Sequence, residues 1–163
     1  MRVIPIAVLL TLLINATVAQ AGDDEFSRST LKGLPGVFVI LEEFSGQAEG
    51  AGFDTRTFQT DAELRLRLAG IKVLTRAESL ETKAGAVLYI AVDPLHTKPD
   101  ARAAYCVGLH LTQRVRLVSS EFEMLAPTWS QRMVGYGNLS YVRDTAKDLV
   151  DTFINAWLSV NPK

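Results

Sequence analysis

The chain contains one cysteine, Cys106, among its 163 residues, so no disulfide can form within it. Several catalytic signatures are missing as well: no GxxxxGK loop to cradle phosphate, no GxGxxG, no GxSxG and no HExxH. Charge of one sign is not in excess. With 17 basic against 18 acidic residues the net charge is −1, which argues against electrostatic capture of nucleic acid or anionic lipid as the main activity. There is no internal repeat and no low-complexity run.

Long apolar runs are equally scarce, and the one that exists lies at the start. Arg2 supplies a small positive region, Ile4 to Ile14 is almost unbroken apolar, and Ala19-Gln20-Ala21 presents small residues where a signal peptidase reads them. Residues 1–21 are therefore expected to be a signal peptide, cut after Ala21. The run is short for a membrane span and a polar GDDE follows, which favours removal over anchoring. No cysteine stands at that point to carry a lipid. The expected location is the periplasm or the exterior, with no stable membrane insertion after cleavage. The remaining ~140 residues suffice for one domain with its own core, burying roughly two-thirds of the unfolded surface.

Residues 22–33 carry charge and small polar side chains without period and read as a flexible leader, leaving residues 34–163 as a single domain. Val37 to Phe44 and Ile71 to Thr75 read as strands flanking a short helix opened by a capping box, Thr60-Asp61-Ala62-Glu63, with Leu64 and Leu68 inward. Residues 45–59 read as a loop and 76–85 as a polar connection with room for one helical turn. Ala86 to Asp93 is the next strand, followed by a loop over 96–101. In the clearest strand, Tyr105, Val107, Leu109, Leu111, Val115 and Leu117 hold odd positions. The even ones hold Cys106, Gly108, His110, Thr112, Arg114 and Arg116, so one face is core and the other partly wet. Ser119 to Pro127 reads as an irregular link, and Thr128 to Tyr136 as a return strand. Residues 139–160 form one long amphipathic helix with Val142, Ala146, Leu149, Phe153 and Trp157 along its apolar stripe, and Asn138 is its expected cap. The fold expected is an α/β (α+β-like) two-layer sandwich: a mixed sheet of about five strands, built as βαβ plus an antiparallel meander, with two main helices on one face.

Few residues suggest chemistry. Cys106 and His110 share a strand face but stand roughly 13 Å apart, too far for thiolate activation. Asp93, His96 and His110 are weak candidates for a metal site, since three such ligands with water could hold zinc, but their spacing is not distinctive. Glu42 and Glu43 point to opposite faces of their strand and cannot act as a carboxylate pair. No catalytic residue, resident metal or cofactor is expected.

The segments VFVILEEF, TDAELRLRLAGIKVLT, AVLYIAVD, AAYCVGLHLTQRVRLV and VRDTAKDLVDTFINAWL, covering about residues 34–160, are similar in order and pattern to the small α/β domain of exported envelope proteins. These include the TolB N-terminal domain, the curli-secretion protein CsgG and the lipoprotein activators of penicillin-binding proteins. The chain more closely resembles short exported α/β proteins of unassigned function with the patterns TDAELRLRxAGI and VRDxxKDLVDxFIN. The resemblance implies a domain for assembly or partner binding, without catalytic residues.

The expected function is thus a non-catalytic exported accessory or binding protein of the cell envelope or exterior, acting through protein–protein contacts. The alternatives are a small secreted hydrolase using a His/carboxylate pocket and a structural homo-oligomer. The partner is expected to be another envelope or extracellular protein, or a second copy, and not nucleic acid. The sheet face opposite the helices is the expected recognition surface, with His110, Thr112, Arg114, Arg116, Trp129 and Arg132 as partner-binding candidates.

Overall fold

Alternating apolar side chains at Tyr105, Val107, Leu109 and Leu111 make a buried row through the middle of a four-stranded sheet. The computed structural model describes residues 22–42, 55–94 and 102–162. The elements in chain order are α1 (Glu25–Ser29), β1 (Phe38–Leu41), α2 (Thr55–Leu68), α3 (Arg76–Glu81), β2 (Val87–Pro94), β3 (Ala103–Arg116), β4 (Glu123–Gly137) and α4 (Leu139–Val160). The sheet runs β1-β2-β3-β4. β1 and β2 are parallel, and the other two pairings are antiparallel. One residue of β4, Thr128, is left over between the pairs Leu111–Trp129 and Thr112–Pro127, a bulge that bends the strand.

Both main helices cover one face, as expected. From α4, Val142, Ala146, Leu149, Val150, Phe153 and Ile154 are buried. They join Val39, Leu88, Ile90, Val92 and the odd-numbered row of β3 in one core. From α2 the buried stripe is Phe58, Ala62 and Leu66. Ion pairs clamp the two helices on their outer side, Arg65 to Asp151 and Arg143 to Asp61, each 2.6 Å.

Four expectations are corrected. First, α2 spans Thr55–Leu68, so Thr60 lies inside it, with its hydroxyl donating to the Arg56 carbonyl at 2.8 Å. The stripe then falls on Phe58, Ala62 and Leu66, while Leu64 and Leu68 are exposed. The capping box belongs to α3, where Thr75 and Glu78 bond reciprocally. Second, residues 71–75 form no strand; a single parallel bridge, Val37 to Val73, is all they contribute, so the sheet has four strands. Third, residues 22–33 are not a loose leader. α1 is capped by Asp24, Leu31 is fully buried, and Asp23 accepts hydrogen bonds from Arg28 and from the Trp129 indole at 2.8 Å. Fourth, Asn138 sits at the N-cap of α4 without a side-chain bond to the helix backbone, and accepts instead from the Ser140 hydroxyl.

At the far end of α4, Asn161 fastens the chain back to its beginning. Its amide donates to the Leu31 carbonyl at 3.0 Å and its oxygen accepts from the Gly33 N–H at 2.7 Å. Among the described residues no helix is long and apolar enough to cross a membrane.

Candidate functional site

The face of the sheet turned away from the helices is built by the other set of alternating positions. β1 gives Phe38 and Ile40, β2 gives Tyr89, Ala91 and Asp93, and β3 gives Cys106, Gly108 and His110. On β4 the matching positions are Ser130, Arg132, Val134 and Tyr136. No described element packs over them. Val134 and Tyr136 are 73 % and 69 % exposed, and Phe38, Ile40 and Tyr89 are half-buried among their neighbours.

The middle of this face is an aromatic platform. Tyr89 and His110 are cross-strand partners, and their rings stack 5.1 Å apart at 13°. Burial is the main reason the imidazole is held below its usual pKa; Glu42 acts in the opposite sense and Arg132 in the same one. The neutral ring can therefore stay stacked at neutral pH. Beside it, the Arg132 side chain lies over Gly108, where a Cβ would stand 3.9 Å from the guanidinium Nε.

β3 and β4 outrun the rest of the sheet. Pairing with β2 ends at Thr112, whereas the β3–β4 ladder continues to Arg116 and Glu123, so residues 113–126 form a two-stranded arm. A bond from the Arg114 N–H to the Ala84 carbonyl steadies its base. The arm's helix-side face carries Leu117, Phe122 and Met124, all exposed because no helix reaches that far. Its other face carries Arg114, Arg116, Glu123 and Leu125, with Arg116 and Glu123 3.6 Å apart. Val118, at the turn, is 98 % exposed.

The expected site residues divide accordingly. His110, Arg114, Arg116 and Arg132 lie on the face that the helices leave open, as expected. Trp129 does not: it is 1 % exposed on the helix side, with its ring edge against Phe153 at 5.2 Å. Its pairing with Leu111 turns it to the helix side, and the Asp23 carboxylate accepts its indole N–H there. Thr112 is also buried, at the base of the arm, and is not offered to a partner.

The weak metal candidates do not assemble. Asp93 pairs with Cys106 and His110 with Tyr89, which separates the carboxylate from the imidazole by four residues of strand, roughly 13 Å. His96 lies outside the described residues, and among those described no three His, Cys, Asp or Glu side chains could hold an ion. A crevice between α2 and α4, lined by Phe58, Asp61, Arg143 and Val150, has a volume of about 10 Å³. That admits about one water molecule and no organic substrate.

Sequence reasoning missed Tyr89, Val134 and the whole arm. The arm had a signal in the apolar residues Leu117, Val118, Phe122, Met124 and Leu125, but Pro127 breaks the run. At a bulge that proline is tolerated, so the strand continues through it.

No protein-family model matches the chain, and neither does any curated protein. Among solved structures it is similar to the PelC dodecamer from Paraburkholderia phytofirmans, at 20% identity over 76% of this chain and 86% of that one, with a TM-score of 0.43. A minor lipoprotein from Acinetobacter baumannii is similar at 12% identity over 74% and 90% of the two chains, with a TM-score of 0.37. These likenesses are loose, and they transfer no residue role.

Proposed function

We propose that this protein is a non-catalytic accessory or binding domain of the cell envelope or exterior, acting through protein–protein contacts on the open sheet face and the β3–β4 arm. The observation that carries the reading is the exposure of apolar side chains in two places: Val134 and Tyr136 on β4, and Met124 together with Leu117, Val118 and Phe122 of the connecting turn on the arm. Exposed apolar side chains beside charge mark protein-interaction sites; Arg132 stands next to Val134 and Tyr136 on the open face, and Arg114, Arg116 and Glu123 line the other side of the arm. A strand already held in a ladder loses little entropy on binding. Residues 1–21, read as a signal peptide, support the location.

Affinity capture from native envelope extract tests the reading. A specific partner should be retained by the unaltered protein, and its retention should fall when Arg114→Glu and Arg116→Glu are combined, while the melting temperature stays within a degree or two of the parent. Undiminished capture at low and physiological salt would remove these arginines from the contact surface.

A further inference from the structure

We infer that the free edge of β4, from Arg132 to Tyr136, pairs antiparallel with the same segment of a second copy of this chain, about a two-fold axis through Val134. This rests on the binding-domain reading above and names the partner for one part of that surface.

The two halves of the β4 edge are treated differently. Near the arm the edge is protected three times over: by Pro127, by the bulge at Thr128, and by the N-terminal segment, whose Gly22 carbonyl accepts from the Ser130 N–H at 3.2 Å. The Thr30 hydroxyl also reaches the Thr128 carbonyl at 3.5 Å. Since Ser130 turns its N–H outward, alternation turns the N–H and C=O groups of Arg132, Val134 and Tyr136 outward too. Along that second half the ladder with β3 is regular, there is no proline or bulge, and no described segment covers it. An open edge carrying exposed valine and tyrosine is a template for another strand.

Which strand fits is written in the order of side chains. With the axis at Val134, that residue faces its own copy, and Arg132 faces Tyr136 of the second copy, a guanidinium beside a phenol ring, twice over. On the other side of the strand Met133 faces Gly135, where the Tyr105 ring already lies so close that a Cβ would collide with it. The thioether then meets a glycine and an aromatic edge. Moving the axis to Arg132 would set two like charges opposite each other and run into Ser130, whose N–H is already used. The register at Val134 allows about six intermolecular N–H···O bonds and joins two sheets into one of twice the width.

Sedimentation velocity of the full exported chain over a concentration series should show a species with twice the mass of one chain. Val134→Pro and Val134→Lys should each weaken self-association by at least about tenfold; the N–H of residue 134 faces away from β3, so proline there removes no internal ladder bond. Unchanged circular dichroism and melting temperature in the lysine variant guard against simple misfolding. In a Cys106→Ser background, Val134→Cys should cross-link on oxidation, since hydrogen-bonded antiparallel partners have Cα atoms about 5.5 Å apart, within disulfide reach. Leu125→Cys, on the arm, should not. A single-chain mass throughout, or a dimer indifferent to Val134→Lys and not cross-linked at 134, overturns the inference. If the chain stays single but captures an envelope protein through this edge, the second copy is the wrong occupant and the binding reading stands. If neither association occurs, both fall.

Discussion

The two faces of this sheet use the same strands to opposite ends. On the helix side, Trp129, Leu111, Leu109 and Val107 meet Phe153, Leu149 and Val150 with almost no exposed surface. On the open side, Tyr89 and His110 stack on each other with Ile40 and Ser130 as their cross-strand neighbours, and no described element covers them. The difference lies in what each face is free to lose. Helix-side residues are held by burial and by mutual shape, whereas open-side residues are half-buried or exposed.

That contrast can be broken most forcefully from the helix side. Phe153→Ala should destabilise the protein by about 3–5 kcal/mol, through lost transfer energy and the cavity left under Trp129, as read by chemical denaturation. Trp129→Phe comes next. Removing the indole N–H that Asp23 accepts should cost about 1–3 kcal/mol and loosen residues 22–31, measurable as faster amide exchange of the Leu31 N–H. On the open side, Tyr89→Ser should cost no more than about 1 kcal/mol, the worth of a half-buried cross-strand pair. A loss as large as that of Phe153→Ala would mean that this face is covered in the folded protein.

The smallest effects are electrostatic. Burial, the largest influence on Asp23, raises its pKa, but bonds from Arg28 and Trp129 outweigh it and hold the carboxyl below 3.8. A carboxyl depressed on folding adds stability above its unfolded value and loses it as pH falls through the folded one. Asp23→Asn should therefore flatten the acid limb of the stability curve below about pH 4, where an unchanged limb would contradict the bond network. For His110, in contrast, the fold favours the neutral form. Its lowered value means that stability should decline as pH falls below 6.5, and His110→Gln should remove that decline.

Much of this architecture was legible in the sequence. The period-two row of β3 and the stripe of α4 each carry enough apolar residues to declare both element and face, and the open-side position of Arg114 and Arg116 follows from the same alternation. Errors arose where a local signal had a non-local owner. Thr60 to Glu63 looks like a helix start because a capping box depends on four residues, whereas α2 already holds Phe58, which is buried in the shared core. Residues 22–33 look mobile because their composition is polar; the bond from Asp23 to an indole 106 positions away is invisible to any window along the chain. Trp129 shares a face with Gln131 and Met133 by alternation, but only its pairing with Leu111 makes that face the helix side.

The clasp between Asn161 and the Leu31–Gly33 segment bears on how the chain comes to rest. Its two bonds join positions 128 and 130 residues apart, and the neighbouring Asp23–Trp129 bond spans 106. Closing loops of that size is entropically expensive until the intervening sheet exists, so the opening segment should lock only after β4 and α4 are in place. The docking of residues 22–33 should then be the last step of folding, and a slow phase in Trp129 fluorescence that Asp23→Asn abolishes would be its signature.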